Sequence, residues 1–463
     1  MHKIILCFLI FVVSCTVGPD YHQKDAFEDT QVAQNLQLRG TSLKISKKWY
    51  EDFNDENLNS LIAEALNQNT DIASAVGKLK QARLFLKIAK AQYLPMLNVQ
   101  GGYDYMKSSK NIGLASDTDY FSLGFDSNWE IDIWGKGRRL NEQKTAEVQK
   151  AYYSLQNVKN ILTAEVAAAY FALKTLEEKY RISLHNLSLQ KDIFNSIKEK
   201  YEAGLSDESS YHQSLYLLEK TKALIPSLEK QMKTTSNALA VLTGRLADTF
   251  ENTSEKAKSA TKKIYTYNLN NLFELPADII RTRPDVKEAE KDMEAQNAAI
   301  GQAVAALYPN LSLSALFGFQ ANNVSDLIKS SSRFYGYEPS SVLPIFHWGE
   351  LQNTIDLEKE KMAEAYQNYK QTILSSVQEL ANAIISVRKE YQANKSYQNA
   401  AYNMQKAYQA MKEKYENGLI EYAALLEVQQ DLLEAQNNLA DSNGQIIQKI
   451  IAFYKATGGG YNE

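Results

Sequence analysis

Residues 120–134 alternate apolar and polar side chains along their length. In the sequence YFSLGFDSNWEIDIW, Phe121, Leu123, Phe125, Trp129, Ile131 and Ile133 fall on odd positions, and Ser122, Gly124, Asp126, Asn128, Glu130 and Asp132 fall on even ones. Because successive side chains of a β-strand point to opposite faces, this period of two predicts a strand with one apolar and one acidic face. Such a strand fits a sheet in a soluble protein, or a sheet with lipid on one face and water on the other. The pattern alone leaves both open.

Similar alternation predicts three more strands, so that the chain contains two strand hairpins. The first hairpin covers about residues 94–133 and the second about residues 309–347, with a return strand predicted at 334–348. Pro339 and Pro344 weaken the prediction of this return strand, because proline cannot donate a hydrogen bond to a sheet and lies at edges, bulges or strand ends.

Long helices are predicted after each hairpin. Residues 139–203 and 350–417 contain neither glycine nor proline, and apolar residues recur there at steps of three and four. A helix of about 65 residues rises roughly 100 Å, which is more than a compact globular domain needs. We expect Gly204 and Gly418 to end these helices in the left-handed conformation, and the chain then to return along a second helix.

One constant offset relates the two halves of the chain. Five pairs of landmarks lie 214 residues apart: Asp71 and Asp285, Pro95 and Pro309, Trp134 and Trp348, Gly204 and Gly418, and Thr243 and Thr457. The offset predicts two repeats, each with a strand hairpin followed by a helical hairpin. The predicted organisation is a leader at 1–14, an extended segment at 15–50, repeat 1 at 51–245 (helical hairpin 136–244), a linker at 246–270, repeat 2 at 271–458 (helical hairpin 350–457) and a tail at 459–463.

Four strands of this length cannot close a membrane barrel, since the smallest membrane barrels have about eight. Open sheet edges are not tolerated in lipid. If the strands lie in a membrane, several chains must therefore contribute to one barrel. A dimer, a trimer and a tetramer all remain compatible with the sequence at this point.

Composition and cysteine positions exclude several classes of function. The net charge of −4 gives no sign of nucleic-acid binding. The two cysteines, Cys7 and Cys15, lie near the start of the chain, and the five histidines are scattered without metal-ligand spacing. No nucleophile–base pair, phosphate-binding loop or metal cluster appears. We therefore predict a protein that is not an enzyme and that has no cofactor and no metal.

The first fifteen residues look like an export signal. A short positive start is followed by an apolar stretch at 4–13, too short to span a bilayer as a helix. The residues Val12-Val13-Ser14-Cys15 resemble a bacterial lipobox, which implies cleavage before Cys15 and lipid attachment to it. The alternative is an ordinary signal peptide with an incidental cysteine.

Several motifs resemble those of the TolC-like outer-membrane factors, in particular the lipoprotein branch that serves resistance–nodulation–division efflux pumps. They keep the family's order and spacing in both repeats: Cys15-Thr16-Val17-Gly18-Pro19-Asp20-Tyr21, WYEDFNDENLNSL from Trp49, Trp134-Gly135, Arg283-Pro284-Asp285-Val286, LPIFHW from Leu343, and Thr457-Gly458-Gly459-Gly460.

This resemblance implies a mainly helical homotrimer in the outer membrane of a Gram-negative bacterium. Twelve pooled strands would form one β-barrel, and the helices would continue it as a tube across the periplasm. The protein would passively conduct substrates from an inner-membrane pump, through a periplasmic adaptor. It would carry a lipid on Cys15 and have no catalytic residues.

The resemblance also assigns expected roles to individual residues. The turns at Gly204-Leu205 and Gly418-Leu419 become the helix tips that contact the adaptor. Glu427, nine residues after Gly418, lies where the family has an acidic constriction, usually an aspartate, and is our gate candidate. The expected lumen acids, which would lower the potential for cations, are Asp104, Asp126, Glu130 and Asp132.

Two other functions are compatible with parts of this pattern. One is the exit duct of a type I protein secretion system, built on the same fold. The other is a surface lipoprotein with long coiled coils that acts as an adhesin or scaffold, although this leaves the two strand hairpins unexplained.

Overall fold

The computed structural model of the chain describes residues 16–22, 46–109, 111, 117–247 and 279–460. The predicted leader at 1–14, Cys15, residues 23–45 of the extended segment and residues 248–270 of the predicted linker lie outside the described residues.

The described part of the chain is mainly helical. Two helices of 67 residues are each followed by a helix of 35 residues. A further short turn of 3-10 helix covers Trp49–Phe53. In chain order the helices are α1 (Glu56–Gln68), α2 (Thr70–Ala91), α3 (Lys136–Glu202), α4 (Glu208–Leu242), α5 (Ile279–Thr282), α6 (Pro284–Ala305), α7 (Glu350–Glu416) and α8 (Tyr422–Ala456).

Four strands form one antiparallel sheet in the order β1-β2-β3-β4. They are β1 (Met96–Lys107), β2 (Asp117–Ile131), β3 (Asn310–Ala321) and β4 (Arg333–Val342). Val99 lies opposite Phe125 in the first pair, Phe125 opposite Phe317 in the second and Phe317 opposite Tyr335 in the third. The two hairpins are therefore joined through β2 and β3, and β1 and β4 are the edge strands.

Two strands end earlier than the alternation predicts. β2 ends at Ile131 rather than Trp134, and Ile133 donates a backbone hydrogen bond to Ile131 in a tight turn. β4 ends at Val342 rather than at residue 348, shortly before Pro344, which cannot donate to a ladder. Pro339 stays within β4, opposite Leu313, as is permitted on an edge strand.

Residues of the chain cluster into two compact units. The first contains the described residues of 16–22, 77–152 and 287–371, which include the whole sheet. The second contains the described residues of 46–76, 153–247, 279–286 and 372–460.

Aromatic residues form the core of the second unit near Trp49. The fully buried Trp49 ring stacks on Tyr454 with 4.7 Å between centroids, and Phe53 packs against Phe171 at 4.9 Å. These contacts hold the segment before α1 against α3 and α8. No helix among the described residues combines the length and the apolar character that a membrane span requires.

Candidate functional site

One face of the sheet is apolar and accessible. Directly paired residues share a face, so the register aligns the apolar positions of all four strands. Leu97, Val99, Tyr103, Phe125, Phe317, Tyr335 and Tyr337 of this face are all exposed. Isolated exposed apolar residues are common, but a contiguous face of this kind marks contact with lipid or another protein.

The opposite face carries mostly polar and small residues, with Leu316 and Phe334 among them. Asp126 accepts a 3.0 Å hydrogen bond from the amide of Asn98, its partner across β1 and β2. Glu130 lies opposite Ser312 and forms an ion pair with Lys136 at 3.8 Å. Asp104 is exposed on β1. Three of the four predicted lumen acids thus lie on strands.

The fourth, Asp132, lies beyond the end of β2. Its carboxylate accepts hydrogen bonds from the backbone N–H groups of Gly137 at 3.2 Å and Arg138 at 3.0 Å, and pairs with the Arg138 side chain. The free N–H groups and partial positive charge at the start of α3 attract this carboxylate. The prediction that Asp132 continues the strand is wrong.

Aromatic side chains gather at the end of the sheet where β1 and β3 begin and β2 ends. The Trp129 indole N–H donates to the carbonyl of Tyr93 at 2.8 Å, and that of Trp134 donates to the carbonyl of Pro309 at 2.7 Å. The Trp134 ring also stacks on Tyr308 with centroids 4.8 Å apart. We call Tyr93, Trp129, Trp134 and Tyr308 the aromatic cluster. Each indole pairs its N–H while its ring stays available for apolar contact.

Both predicted helix tips have the same hydrogen-bonded cap. Gly204 has a φ of 72° and donates to Tyr201, while Leu205 donates to the carbonyl of Lys200 at 2.7 Å. Gly418 has the same φ, and Leu419 donates to Lys414 at 2.9 Å. This is the Schellman motif, in which the residue after glycine usually packs back onto its own helix. Here Leu205 is 79% exposed and Leu419 is 72% exposed, so both can contact another molecule.

The two tips differ in how the returning helix begins. Asp207 accepts hydrogen bonds from the N–H and hydroxyl of Ser210 at the start of α4, and these bonds lower the pKa of Asp207. Glu421 occupies the same position before α8 and makes no side-chain cap. The second tip therefore lacks one stabilising contact that the first possesses.

Glu427 is exposed on α8, the helix that starts at the second tip. The opposite face of α8 is packed in two clusters. Tyr422 and Leu426 lie with Ile197 of α3 and Leu217 of α4, and Leu425 and Leu432 lie with Tyr408 of α7. This packing fixes the rotation of α8 about its axis and directs Glu427 away from the hairpin core.

Two further acids share the exposed face of Glu427. Asp431 and Glu434 follow it at steps of four and three residues, and both are exposed. Neither acid is predicted by the sequence motifs, which point to the single family position Glu427. Their helical spacing from Glu427 is the sequence signal that places them on the same face of α8. The residue 214 positions before Glu427 is Gln213, which is not acidic.

Buried amides interrupt the packing of α3 and α8. The side-chain amides of Gln190 and Gln429 have no hydrogen-bond partner among the described residues, although both residues are almost fully buried. An unsatisfied buried amide costs about 1–3 kcal/mol. No described cluster of three or more His, Cys, Asp or Glu residues is arranged to hold a metal ion.

Comparison with known proteins identifies the family. A family model described as "Outer membrane efflux protein" matches residues 61–245 and again residues 275–459. This chain belongs to the outer membrane efflux protein family. The prediction from the sequence motifs is confirmed, and so is the prediction that the chain is not an enzyme, because the family consists of outer-membrane channels.

Individual members of the family align with nearly the whole chain. Nodulation protein T of Rhizobium leguminosarum bv. viciae is 26% identical over 457 residues, which cover 98% of this chain and 92% of that protein. The cation efflux system protein CusC of Escherichia coli (strain K12) is 26% identical over 469 residues, covering 98% of both. The solved structure of the outer-membrane channel OprN has a TM-score of 0.86 at 26% identity and covers 97% of this chain and 100% of that one.

Proposed function

We propose that this efflux family member is the outer-membrane channel of a tripartite efflux pump. It passively conducts small toxic compounds or drugs from an inner-membrane resistance–nodulation–division pump and a periplasmic adaptor to the outside. The observation that carries this proposal is the sheet with one exposed apolar face and one polar face, whose strands lead into helices of 67 residues. Such a chain supplies both a wall in lipid and the long helices of a conduit.

A homotrimer supplies the missing strands. β1 and β4 leave open edges in one protomer, and open edges are not stable in lipid. Three copies give a closed barrel of twelve strands, continued by the helices of both repeats. The two matches to the family model, at 61–245 and 275–459, keep the 214-residue offset and support repeats at about 51–245 and 271–458.

Exposed apolar surfaces flank both edges of the sheet and fit a neighbouring copy. In an antiparallel meander, β1 begins and β4 ends at the same end of the sheet. Before β1 lie Leu84, Phe85, Ile88 and Leu94, and after β4 lie Leu343, Ile345, Phe346 and Trp348, all exposed. Trp348 is 89% exposed with a φ of 50°, an uncommon conformation for a non-glycine residue. Ring closure brings these two surfaces of adjacent protomers together and removes both from water.

The aromatic cluster supports the direction of the barrel. Tryptophan and tyrosine concentrate at membrane–water interfaces, where their rings contact lipid and their polar groups remain paired. Aromatic girdles occur at both interfaces, so the cluster marks only a membrane boundary. Because α3 begins at this end of the sheet, we place the end nearest Trp129 and Trp134 at the periplasmic face of the outer membrane. Asp104, Asp126 and Glu130 then line the lumen, whereas Asp132 serves the start of α3.

The exposed leucines of the two tips are the proposed adaptor contacts. Leu205 and Leu419 each follow a glycine in the left-handed conformation, which glycine adopts without the steric cost that a side chain brings. Both apolar side chains lie in a fixed geometry at the end of a helical hairpin. An apolar groove on the adaptor would bury them.

The gate is the ring that three copies of Glu427 form near the second tip, with Asp431 and Glu434 next along the same face. Carboxylates that converge on a three-fold axis repel one another and attract cations. Adaptor binding shifts the equilibrium towards the open state. The missing cap at Glu421 and the unpaired amides of Gln190 and Gln429 lower the cost of moving α8.

Two measurements test the proposal. Deletion of the gene should raise intracellular accumulation of at least one compound in a panel of dyes, detergents, drugs and metal ions, and the intact gene should reverse it. The purified protein should form ion-conducting channels in a planar bilayer. An unchanged panel would contradict a role in efflux, and a protein without conductance would contradict a channel of any kind.

A further inference from the structure

The first described residues of the chain, which begin at Thr16, lie against the junction between β2 and α3. Val17 donates a backbone hydrogen bond to the carbonyl of Trp134 at 3.1 Å. Thr16 lies so close to Gly135 that a Cβ on that glycine would approach Thr16 Cγ2 to 2.7 Å. Gly135 has a φ of 82°, so both its conformation and its lack of a side chain are needed here.

Arg139, in the first turn of α3, binds this segment at three points. Its guanidinium donates to the carbonyls of Val17 and Gly18, both at 3.2 Å, and to the carboxylate of Asp20 at 2.8 Å. The Arg139 side chain is only 5% exposed, and a fourth bond to Glu142 orients it. The hydrogen bond and charge of Arg139 also lower the pKa of Asp20.

Helix α6 closes the other side of the segment. Gly18 has a φ of 89°, and a Cβ there would lie 2.5 Å from the Cα of Gly301. Asn297 donates its side-chain amide to the carbonyl of Pro19 at 3.0 Å. Residues 16–20 are therefore held in a fixed path between α3 and α6, and a small movement of either side would break several contacts at once.

We propose that Arg139 is a positioning residue for the lipid anchor, which it couples to the base of the β-barrel. The inference rests on the proposed lipidation of Cys15 and the proposed membrane orientation of the sheet. Consecutive Cα atoms of a chain lie about 3.8 Å apart, and Thr16, which follows Cys15 directly in the sequence, is held against Gly135. A lipid on Cys15 is thus confined to the level of Trp134, which belongs to the aromatic cluster at the membrane interface.

This arrangement differs from a flexible tether in its consequence. A disordered linker would let the acyl chains enter the bilayer wherever they meet it, at a distance that grows with linker length. Here the acyl chains enter the bilayer at one end of the sheet, next to Trp134. The anchor therefore sets the depth at which the strands insert, and Arg139 transmits that position from the lipid to the strands.

The test measures how Arg139 protects the N-terminal segment in the full-length, lipidated protein. Chymotrypsin cleavage after Tyr21 is followed by mass spectrometry of the N-terminal fragment in outer-membrane fractions. Arg139→Ala should raise the cleavage rate about tenfold or more, because charged hydrogen bonds to three acceptors are lost. The cleavage rate of Arg139→Lys should lie between those of wild type and Arg139→Ala, since an ammonium group cannot reproduce the planar fork of the guanidinium. Arg138→Ala is the matched control, because Arg138 pairs with Asp132 in the same turn and should leave cleavage unchanged.

A double-mutant cycle separates positioning from simple support of the fold. Arg139→Ala is compared with wild type in the lipidated chain and in Cys15→Ser, exported with an ordinary cleavable signal peptide. The readout is the rate of conversion to the heat-modifiable, SDS-resistant oligomer. We expect Arg139→Ala to slow assembly several-fold in the lipidated chain and to have no further effect without the lipid. Equal slowing in both backgrounds would overturn the positioning role.

Two further measurements keep the outcomes distinct. Asp20→Ala removes one of the three acceptors of Arg139. The Asp20 side chain is 78% exposed, so its loss leaves the core intact and should still increase cleavage after Tyr21. Unchanged cleavage in both Asp20→Ala and Arg139→Ala would overturn the proposal. Incorporation of labelled palmitate at Cys15 is scored separately. If wild type takes up no label, the anchoring role fails even though efflux and conductance are retained.

Discussion

The Tyr170 hydroxyl donates a 2.7 Å hydrogen bond to the carboxylate of Asp55, and both side chains are buried. The same carboxylate caps α1, where it accepts hydrogen bonds from the N–H groups of Asn57 and Leu58. One acidic group thus connects the start of α1 to the middle of α3. Removal of the hydroxyl leaves a buried charged acceptor with one partner fewer.

Tyr170→Phe should therefore lower the free energy of unfolding of the helical part by about 1–3 kcal/mol. The measurement is chemical denaturation in detergent, followed by circular dichroism. Tyr402→Phe is the control, because Tyr402 is exposed on α7 and should change stability little. Equal stability of the two variants would contradict a role for the buried pair.

The same pair predicts a dependence on alkaline pH. Burial, together with the hydrogen bond to Asp55, raises the pKa of Tyr170 above its ordinary value of about 10. Between about pH 10 and the raised pKa, the folded protein therefore keeps the Tyr170 proton that the unfolded chain loses. The resulting stabilisation is complete below about pH 10 and is lost as pH rises through the raised pKa. Unfolding free energies measured from pH 8 to 12 should fall less steeply in Tyr170→Phe than in wild type.

Replacement of two helical glycines by alanine should change the stability of the protein in opposite directions. Gly444 in α8 is packed against α3, and a Cβ there would overlap Thr175. Gly77 in α2 has no atom within 4 Å of such a Cβ. Gly77→Ala should stabilise by up to about 1 kcal/mol through helix propensity, whereas Gly444→Ala should destabilise by about 1–3 kcal/mol through overpacking. Thermal unfolding in detergent distinguishes them, and a stabilising Gly444→Ala would refute this close approach of α3 and α8.

Glu427→Gln should weaken block of the channel by divalent cations, by roughly tenfold, because a ring of three negative charges is removed. Single-channel recording in a planar bilayer provides the measurement. Gln213→Glu is a matched variant at the corresponding position of the first repeat, and it should add a ring and strengthen the block. If conductance and cation block are unchanged in Glu427→Gln, Glu427 is not the gate.

Gln429→Leu should stabilise the closed arrangement of α8. The variant replaces an unpaired buried amide with an apolar group of similar size, which removes a cost of about 1–3 kcal/mol. We expect a higher unfolding temperature together with a lower open probability in bilayer recordings. Asn438→Leu, at an exposed position of the same helix, should change neither. An unchanged open probability in a stabilised Gln429→Leu would separate the amide from gating.

Contact between adjacent protomers can be tested with engineered thiols. The two native cysteines, Cys7 and Cys15, precede the body of the chain. Cysteines introduced at positions 94 and 343 are therefore the only cysteines after residue 15. A Leu94→Cys/Leu343→Cys double variant treated with a short bismaleimide in intact cells should yield covalent dimers and trimers. Each single variant should lack the trimer band. A double variant that remains monomeric would argue against ring closure through these surfaces.

Much of the local structure follows from the sequence. The alternation near residue 120 and the glycine-free stretches predict strands and helices whose ends lie within a few residues of those in the structure. Gly204 and Gly418 end their helices in the left-handed conformation as expected. Such features depend on neighbours within a few residues, which is why a one-dimensional pattern suffices.

The errors have identifiable causes. Alternation extends through Asp132, but the N–H groups at the start of α3 bind that carboxylate and the strand ends at Ile131. The family resemblance points to Glu427 alone and says nothing of the exposed acids Asp431 and Glu434 on the same helix. The capping difference between Asp207 and Glu421 agrees with residue type, because aspartate is a preferred N-cap residue and glutamate is not.

The sequence by itself determined the class of elements, their order and the family. Only the tertiary structure decided which strands pair between the two hairpins, and that Arg139 binds Val17 from 122 residues away. The spacing of apolar residues indicates which face of a helix or strand is buried. It does not indicate which distant segment of the chain packs against that face. Hydrogen-bond geometry and close backbone approach, as at Gly18 and Gly301, exist only once the elements are packed.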